Sequence, residues 1–265
     1  MTIEQIIVIA VVQGITEFLP ISSSGHLVLV PHLFHWPDQG QFVDVMVHVG
    51  TLFAILIYFW RDVWKLIVGA LELFRGKVTQ DGKLAIYIVL ATIPAVAFGL
   101  FLKKFGLGDL ERSVTIVAWN TVIYGLLMLV ADMMGRQENT IENMTLKSAL
   151  IIGVAQALAL IPGTSRSGIT MTAARFLNYT RPDAARFSFL LGIPAIAGAG
   201  VLTVGEALAA GDTITMDAVY CAILTFFAGL AAIAFLMALV RRISFLPFVL
   251  YRMVLGGFLL FMIYM

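Results

Sequence analysis

The sequence predicts an all-α protein that crosses the membrane several times, because its composition is strongly apolar and its apolar stretches are long. Of its 265 residues, 60% are hydrophobic and 12% are charged, and the mean hydropathy is +0.97. Soluble domains carry about 25% charged residues, so the composition excludes a soluble domain, a disordered chain and a nucleic-acid-binding domain. The net charge of +1 attracts no polyanion, and the single cysteine, Cys221, excludes a disulfide-rich secreted scaffold.

Six apolar stretches have the length of a spanning helix, which needs about 20 predominantly apolar residues. They cover residues 42–60, 84–102, 113–134, 187–210, 216–240 and 246–265. We expect each of them to be a membrane-spanning α-helix.

Two further apolar stretches, 3–34 and 146–178, are interrupted by proline followed by serine and glycine, at 20–25 and 162–168. Proline removes a backbone donor and clashes with the preceding turn, while serine and glycine favour turns. Each stretch is therefore expected to form a helix, a loop and a helix, as a re-entrant hairpin. Non-helical backbone at membrane depth is tolerated only where protein or water covers it, so the two breaks predict a polar cavity between the helices.

The two interrupted stretches resemble each other at an offset of 143 residues. Four pairs of residues coincide at this offset: Gln13 and Gln156, Ser22 and Ser165, Ser24 and Ser167, Gly25 and Gly168. The number of spans between them predicts a single membrane domain of two repeats with inverted topology, over about 1–134 and about 146–265. The alternative is that Ser-x-Ser-Gly recurs by chance in two turns.

The distribution of charge between the loops predicts the orientation in the membrane. Basic residues concentrate at 61–83, 175–186 and 241–242, whereas 206–217 holds acidic residues and no lysine or arginine. The positive-inside rule places the basic loops in the cytoplasm and both termini outside. The first residues lack a basic region and a small-residue cleavage site, so we expect them to belong to the mature chain.

Polar residues accumulate around the first break. Gln13 and Glu17 stand four residues apart and share a helix face, and an acidic residue at a helix centre in the membrane costs about 3 kcal/mol. Glu17 is therefore a candidate functional residue, and a helix end near the interface is the alternative. Asp44 and His48 are also four residues apart; they either line the same cavity or form an interhelical pair, which we favour.

Both breaks lead into a helix through serine and glycine. The backbone N–H groups of such a loop and the helix dipole form a natural anion site. The residues are Ser22, Ser23, Ser24, Gly25 and His26 at the first break, where a helix begins near His26, and Ser165, Arg166, Ser167, Gly168 and Thr170 at the second. The guanidinium of Arg166 suits phosphate oxygens, so the breaks together indicate a phosphate-binding cavity. The alternatives are a helix cap and turn for the serines, and a structural ion pair with Glu17 for Arg166.

These segments resemble the motifs of the undecaprenyl pyrophosphate phosphatase family of bacteria, also known as the bacitracin-resistance family. The similarity is carried by 13–27, 162–170, 187–191 and 242–252, and it spans essentially the whole chain. The resemblance implies an enzyme that hydrolyses undecaprenyl diphosphate to the monophosphate and inorganic phosphate, recycles the carrier lipid for cell-wall synthesis and confers bacitracin resistance. Its partners are then this lipid and the bacterial cytoplasmic membrane, and no nucleic acid. The predicted orientation opens the site to the extracytoplasmic side.

The resemblance also implies roles for particular residues. Glu17, Ser23, His26 and Arg166 take catalytic roles, with Glu17 on a divalent cation, Mg²⁺ or Ca²⁺. Ser22, Ser24, Gly25, Ser165, Ser167, Gly168 and Thr170 surround the phosphates. Many members have glutamate at the position of Gln13, and an amide binds a cation less well than a carboxylate does, so Gln13 is a doubtful metal ligand. Ser23 is the candidate nucleophile, and a water molecule held by the same residues is the alternative.

A different class of function fits the same pattern. Inverted repeats with broken helices are typical of secondary transporters, so a transporter or lipid flippase for a phosphorylated substrate is the alternative. Histidine, serine and arginine beside a carboxylate favour hydrolysis, because binding a phosphate for transport does not require all of them. The sequence leaves open the length of the lipid chain and whether the protein forms a homo-oligomer.

Overall fold

The computed structural model describes residues 1–105, 113–209 and 215–265, except for the side chains at 32, 41 and 206–208. Within these ranges the chain forms eleven α-helices joined by short connections. In chain order they are α1 (Ile3–Thr16), α2 (Ser23–Phe34), α3 (Gly40–Tyr58), α4 (Trp60–Phe74), α5 (Gln80–Lys104), α6 (Val114–Met134), α7 (Leu146–Ala157), α8 (Arg166–Phe176), α9 (Arg181–Ala209), α10 (Met216–Leu239) and α11 (Leu246–Tyr264).

The six predicted spans coincide with helices. Among the described residues, α5, α6, α9, α10 and α11 are long and apolar enough to cross a membrane, and α3 with α4 forms a sixth candidate that is bent by 82°. The protein is therefore an all-α polytopic membrane protein, as predicted. The predicted acidic loop 206–217 lies partly outside the described residues.

The prediction of a loop over 61–83 is wrong. The chain bends sharply after Tyr58 and continues as α4, which ends at Phe74. Charged residues lower the mean hydropathy of this segment, but its apolar residues recur at helical spacing, and this amphipathic period determines its structure. Only residues 75–79 connect it to α5.

The two interrupted stretches form helix pairs, as predicted. The breaks lie at 17–22, between α1 and α2, and at 158–165, between α7 and α8. The four helices have 14, 12, 12 and 11 residues, so each is about 16–21 Å long, too short for a hydrocarbon core of about 30 Å. Their lengths support the prediction of re-entrant hairpins. Helix α2 begins at Ser23, three residues before the expected start near His26.

The helices pack so that the two breaks meet inside the protein. Helix α10 packs against α1 and α3, α11 packs against α6, and α8 packs against α6, α7 and α9. Some pairs touch backbone to backbone: a Cβ atom at Gly153 of α7 would lie 2.2 Å from the carbonyl oxygen of Ala91 in α5. The buried ring of Phe18, in the first break, meets the ring of Phe189 of α9 edge to face.

Two contacts place the chain termini next to the starts of other helices. The N-terminal amine is 2.6 Å from Oδ2 of Asp217 at the start of α10. Trp119, near the start of α6, donates a hydrogen bond to the hydroxyl of Tyr264 near the C-terminus, at 3.3 Å. These contacts agree with a topology in which the two termini and the starts of α6 and α10 share one side. The side that faces the cytoplasm stays a prediction.

Arg175, which the sequence places among the loop charges, is instead fully buried in the last turn of α8. Its Nε atom donates to Oδ1 of Asp132 at 3.0 Å, and the same carboxylate oxygen accepts from Nε of Arg181 at 2.7 Å. This cluster joins the ends of α6 and α8 to the start of α9, and the predicted loop 175–186 narrows to 177–180.

Candidate functional site

The two breaks share an uncommon backbone geometry. Ser22 and Ser165, the residues that precede α2 and α8, both have a positive φ, of 75° and 72°. Their hydroxyls lie 3.4 Å and 3.3 Å from those of Ser24 and Ser167, respectively. Residues other than glycine rarely adopt this conformation, so its occurrence at two aligned positions supports the predicted duplication. The inverted topology of the repeats stays a prediction.

Glu17 lies at the centre of the site and is only 6% exposed. Its Oε2 atom accepts hydrogen bonds from Ser23 Oγ at 2.7 Å and from Gln13 Nε2 at 3.2 Å. Its Oε1 atom accepts from Nη2 of Arg166 at 3.0 Å. The structure therefore places three predicted site residues, Gln13, Ser23 and Arg166, around the Glu17 carboxylate, and the guanidinium balances its charge.

His48 of α3 also faces this carboxylate. Its Nε2 atom lies 3.6 Å from Oε2 of Glu17, while its Nδ1 atom donates to the backbone carbonyl of Asp44 at 2.6 Å. The Asp44 side chain accepts a hydrogen bond from Gln39 Nε2 at 2.7 Å. His48 therefore reaches the Glu17 carboxylate from another helix, while a cavity lined by His48 and Asp44 stays a prediction.

Arg166 is held in place by α9. Its Nη1 atom donates to the carbonyl of Ser188 at 3.0 Å, and a Cβ atom at Gly192 would lie 2.2 Å from Nη1, so a side chain there would displace the guanidinium from this position. The Nε atom is buried and has no hydrogen-bond partner among the described residues. The guanidinium thus lies next to Glu17, and its Nε–H is unused within the described residues.

Ser188 was missed by the sequence reasoning. Its hydroxyl shares a hydrogen bond of 2.6 Å with the hydroxyl of Thr170, and Thr170 in turn donates to the carbonyl of Arg166 at 2.8 Å. Both side chains are fully buried. The signal was present, because Ser188 lies in the segment 187–191, which carries part of the family resemblance.

The polar residues of the second break are engaged inside the protein. Ser165 Oγ accepts from the N–H of Gly168 at 3.1 Å, which is the helix cap considered from the sequence. Ser167 Oγ, only 1% exposed, lies 3.2 Å from the carbonyl of Glu17 and 3.3 Å from that of Leu19. Ser167 thus ties the second break to the first. A role of these hydroxyls on the phosphates stays a prediction.

His26 occupies the first turn of α2, as predicted, but its hydrogen bonds go to residues other than Glu17. Its Nδ1 atom donates to the carbonyl of Ser22 at 2.7 Å, so its Nε2 atom accepts from the hydroxyl of Tyr251 at 2.5 Å. The two rings stack at 5.7 Å. Within the described residues, neither hydrogen bond goes to Glu17 or Arg166. Next to it, Ser24 is exposed and Gly25 is buried.

Arg252 of α11 is bonded to both breaks, although it contacts no carboxylate in the described part of the chain. It is fully buried, and its guanidinium donates only to backbone carbonyl oxygens, at 3.0–3.3 Å. These oxygens belong to Pro20, Asn120, Thr121, Gly163 and Thr164. One side chain therefore connects the first break, the second break and α6.

The residues present would suit a divalent cation only if another molecule supplied further oxygen ligands. Oε1 of Gln13 is buried without a hydrogen-bond partner among the described residues, on the amide whose Nε2 contacts Glu17. The described ranges contain no group of three or more His, Cys, Asp or Glu side chains placed to hold a metal. Mg²⁺ is commonly held by one or two carboxylates plus substrate phosphates, so Glu17 with Gln13 Oε1 is an incomplete set that a diphosphate can complete.

Fold and site together define an integral membrane protein with a buried, charge-balanced polar centre between two broken helical segments. A sequence model described as bacitracin resistance protein BacA matches residues 6–258. The chain therefore belongs to the BacA bacitracin-resistance family, which confirms the resemblance found in the sequence.

Relatives match over almost the whole chain. A protein of Erythrobacter litoralis named undecaprenyl-diphosphatase is 48% identical and covers 98% of this chain and 99% of its own length. Proteins of the same name from Jannaschia sp. and Roseobacter denitrificans are 48% and 46% identical, and the alignments cover 100% and 98% of both chains. These names denote a phosphatase and give no support to the transporter alternative.

Proposed function

We propose that the protein is a membrane phosphatase that hydrolyses undecaprenyl diphosphate to undecaprenyl phosphate and inorganic phosphate. The names of its relatives support this activity. The observation that carries the proposal is the contact network of Glu17, Ser23 and Arg166, which joins a carboxylate, a hydroxyl and a guanidinium at 2.7–3.0 Å. Phosphoryl transfer needs positioning and charge neutralisation more than covalent chemistry, and this network can supply both.

Arg166 binds the diphosphate and changes the surroundings of Glu17 when it does so. Its buried Nε–H has no other partner in the described part of the chain, so it is available to a phosphate oxygen. A diphosphate competes with Glu17 for the guanidinium. When a phosphate oxygen binds the guanidinium, the Glu17 carboxylate is released from its ion pair with Arg166.

Ser23 is the nucleophile in this proposal. Its Oγ attacks the terminal phosphorus while its proton passes to Glu17 Oε2, 2.7 Å away. The bond from that phosphorus to the bridging oxygen breaks, and undecaprenyl phosphate leaves with the bridging oxygen. Water then attacks the phosphoserine, inorganic phosphate leaves, and Ser23 recovers its proton. A water molecule that is activated by Glu17 and attacks the substrate directly is the alternative.

His26 is the candidate general acid or base for the leaving group or the water. Its Nδ1 is committed to the Ser22 carbonyl, so Nε2 is the atom that can exchange a proton. In this structure Nε2 contacts the hydroxyl of Tyr251. We therefore propose that the substrate replaces the Tyr251 hydroxyl at Nε2 before His26 takes part.

A divalent cation, Mg²⁺ or Ca²⁺, is the proposed cofactor. Glu17 and Gln13 Oε1 are the residues that would hold it, with phosphate oxygens completing its coordination. When bound, the cation neutralises charge on the diphosphate. The residues of the chain orient the substrate and move the protons.

The proposed setting is the bacterial cytoplasmic membrane, with the site open to the extracytoplasmic side. The charge distribution of the loops supports this orientation, and the apolar helices around the breaks are suited to a prenyl chain that stays in lipid. The product of this reaction is the carrier lipid used in cell-wall synthesis, and its continued supply is the proposed basis of bacitracin resistance.

The test is inorganic phosphate release in detergent, where no sealed compartment exists. Purified protein should release phosphate from undecaprenyl diphosphate in micelles at the same rate per molecule as in liposomes, within a few fold. A transporter needs a sealed compartment and would release none in either preparation while moving labelled substrate across liposomes. That second result would overturn the proposal.

A further inference from the structure

Helix α4 presents an apolar stripe that no described residue of the chain covers. The stripe consists of Trp60, Trp64, Ile67, Leu71 and Phe74, which follow one another at intervals of three or four residues and therefore share one face. Their exposed fractions are 58%, 64%, 47%, 55% and 90%. Phe74 in particular is almost as accessible as in an unfolded chain.

The opposite face of α4 is fixed to the protein. A Cβ atom at Gly69 would lie 2.4 Å from the backbone nitrogen of Gly82 in α5, so the two helices touch backbone to backbone. Leu66 packs against the main hydrophobic core. At the start of α4, Asp62 forms an ion pair with Arg186 of α9. Because these three contacts hold the helix from one side, the aromatic stripe points away from the bundle.

The direction of α4 places this stripe at a membrane surface. The axis of α4 is bent by 82° from that of α3, which is one of the predicted spans. A helix that is nearly perpendicular to a spanning helix lies close to the plane of the membrane. Tryptophan and other large apolar residues on such a helix insert into the boundary between headgroups and acyl chains.

The charges beside the stripe indicate which lipid headgroups the helix would contact. Arg61 and Lys65 are exposed next to the tryptophans, and Arg61 lies over the ring of Trp60 at 5.3 Å. Three more basic residues follow towards α5: Arg75, Lys77 and Lys83. The acidic residues of the segment are Asp62, Glu72 and Asp81, and Asp62 is paired with Arg186. The exposed basic residues outnumber the acidic ones, so the surface is complementary to anionic headgroups.

We propose that α4 is an interfacial helix that docks on an anionic phospholipid surface, with its aromatic stripe in the acyl boundary and Arg61 and Lys65 on the lipid phosphates. The proposal does not depend on the phosphatase activity. A second copy of the chain or another protein on the same stripe is a competing occupant, and the experiment distinguishes both from lipid.

The test uses tryptophan fluorescence of the full-length protein in nanodiscs. The chain has four tryptophans, so Trp36→Phe with Trp119→Phe leaves only Trp60 and Trp64 as probes. Lipids brominated on the acyl chain next to the headgroup should quench this signal strongly, and more strongly in phosphatidylglycerol than in phosphatidylcholine. If that double variant unfolds, the quenching difference between wild type and Trp60→Phe with Trp64→Phe gives the same quantity.

The preference for anionic lipid should depend on the two basic residues. Arg61→Gln and Lys65→Gln should each reduce the preference for brominated phosphatidylglycerol over phosphatidylcholine by about fivefold. Lys104→Gln, at the far end of α5, is the matched control and should leave the preference unchanged. Absence of quenching would overturn the proposal. Cross-linking of two copies through position 64 would then identify a second copy of the chain as the occupant, and its absence would leave another protein. Equal loss in the control and in the α4 variants would also overturn it.

Discussion

Glu17 and Arg166 lie 149 residues apart in the chain and form an ion pair of 3.0 Å between Oε1 and Nη2. Glu17 belongs to the first break and Arg166 to the start of the helix that follows the second. Neither break therefore contains the site alone. The predictions below follow from this relationship and from the residues that support it.

Glu17→Gln should lower kcat by about 10²–10⁴-fold, the range for the loss of a general base. The amide cannot take the proton of Ser23 and no longer balances the charge of Arg166. Phosphate release from undecaprenyl diphosphate measures the effect, and thermal denaturation in detergent shows whether the variant is folded. A folded variant with at least a tenth of the wild-type rate would contradict the role of Glu17.

Ser23→Ala distinguishes the two nucleophiles. If Ser23 forms a phosphoserine, the variant should lose at least about 10³-fold in kcat, and wild-type protein quenched in acid during turnover should carry phosphate on the peptide that contains Ser23. The measurements are phosphate release and mass spectrometry of the quenched protein. Activity within tenfold of wild type, with no phosphopeptide, would assign the attack to water.

Gly192→Ala should lower activity by displacing Arg166, because its Cβ would lie 2.2 Å from Nη1. We expect a loss of about 10²-fold, similar to removal of one transition-state donor, while the variant remains folded. Gly198→Ala, on the same helix and with nothing within 4 Å of its Cβ, is the control and should keep full activity. Equal rates for the two variants would show that the position of the guanidinium is not critical.

Arg252 should be required for stability more than for chemistry. Arg252→Met leaves five buried carbonyl oxygens without their donor and should destabilise the protein by at least about 3 kcal/mol. Arg252→Lys keeps the charge but loses the planar fork, so it should rescue little of the loss. Thermal denaturation in detergent measures both. Full recovery of the melting temperature by lysine would mean that charge alone matters at this position.

His26 and Tyr251 should differ in their contributions although they contact each other. His26→Gln removes the proton-transferring ring and should cost about 10²–10⁴-fold in kcat. Tyr251→Phe removes only a contact that we propose the substrate replaces, so its kcat should remain within a few fold of wild type. Steady-state phosphate release on both variants makes the comparison. An equally large loss in Tyr251→Phe would place its hydroxyl in the reaction itself.

Much of the fold could be predicted because apolar length and turn-forming residues are local properties. The six spans and the two broken segments follow from hydropathy and from proline, serine and glycine. Helix α4 was missed because its charges reduce the average hydropathy, while its amphipathic period carries the information. The mean hydropathy of a sequence window cannot distinguish an amphipathic helix from a loop.

The site was predictable in its residue types and less so in its contacts. An intramembrane carboxylate and arginine are costly, so Glu17 and Arg166 stood out from the sequence alone. Ser188 and Gly192 did not, because a serine and a glycine within an apolar helix are also ordinary packing residues. The position of His48 against Glu17 depends on the rotation of α3, which packing against α9 and α10 determines and spacing alone does not.

If the two breaks form one phosphatase site, purified protein should release phosphate in detergent, and this release is the decisive measurement. Wild type and Arg166→Ala are each assayed on undecaprenyl diphosphate with Mg²⁺, with Ca²⁺ and with a chelator. Phosphate release should need both Arg166 and a cation. Folded wild-type protein that releases no phosphate with either cation, or Arg166→Ala protein as active as wild type, would contradict it.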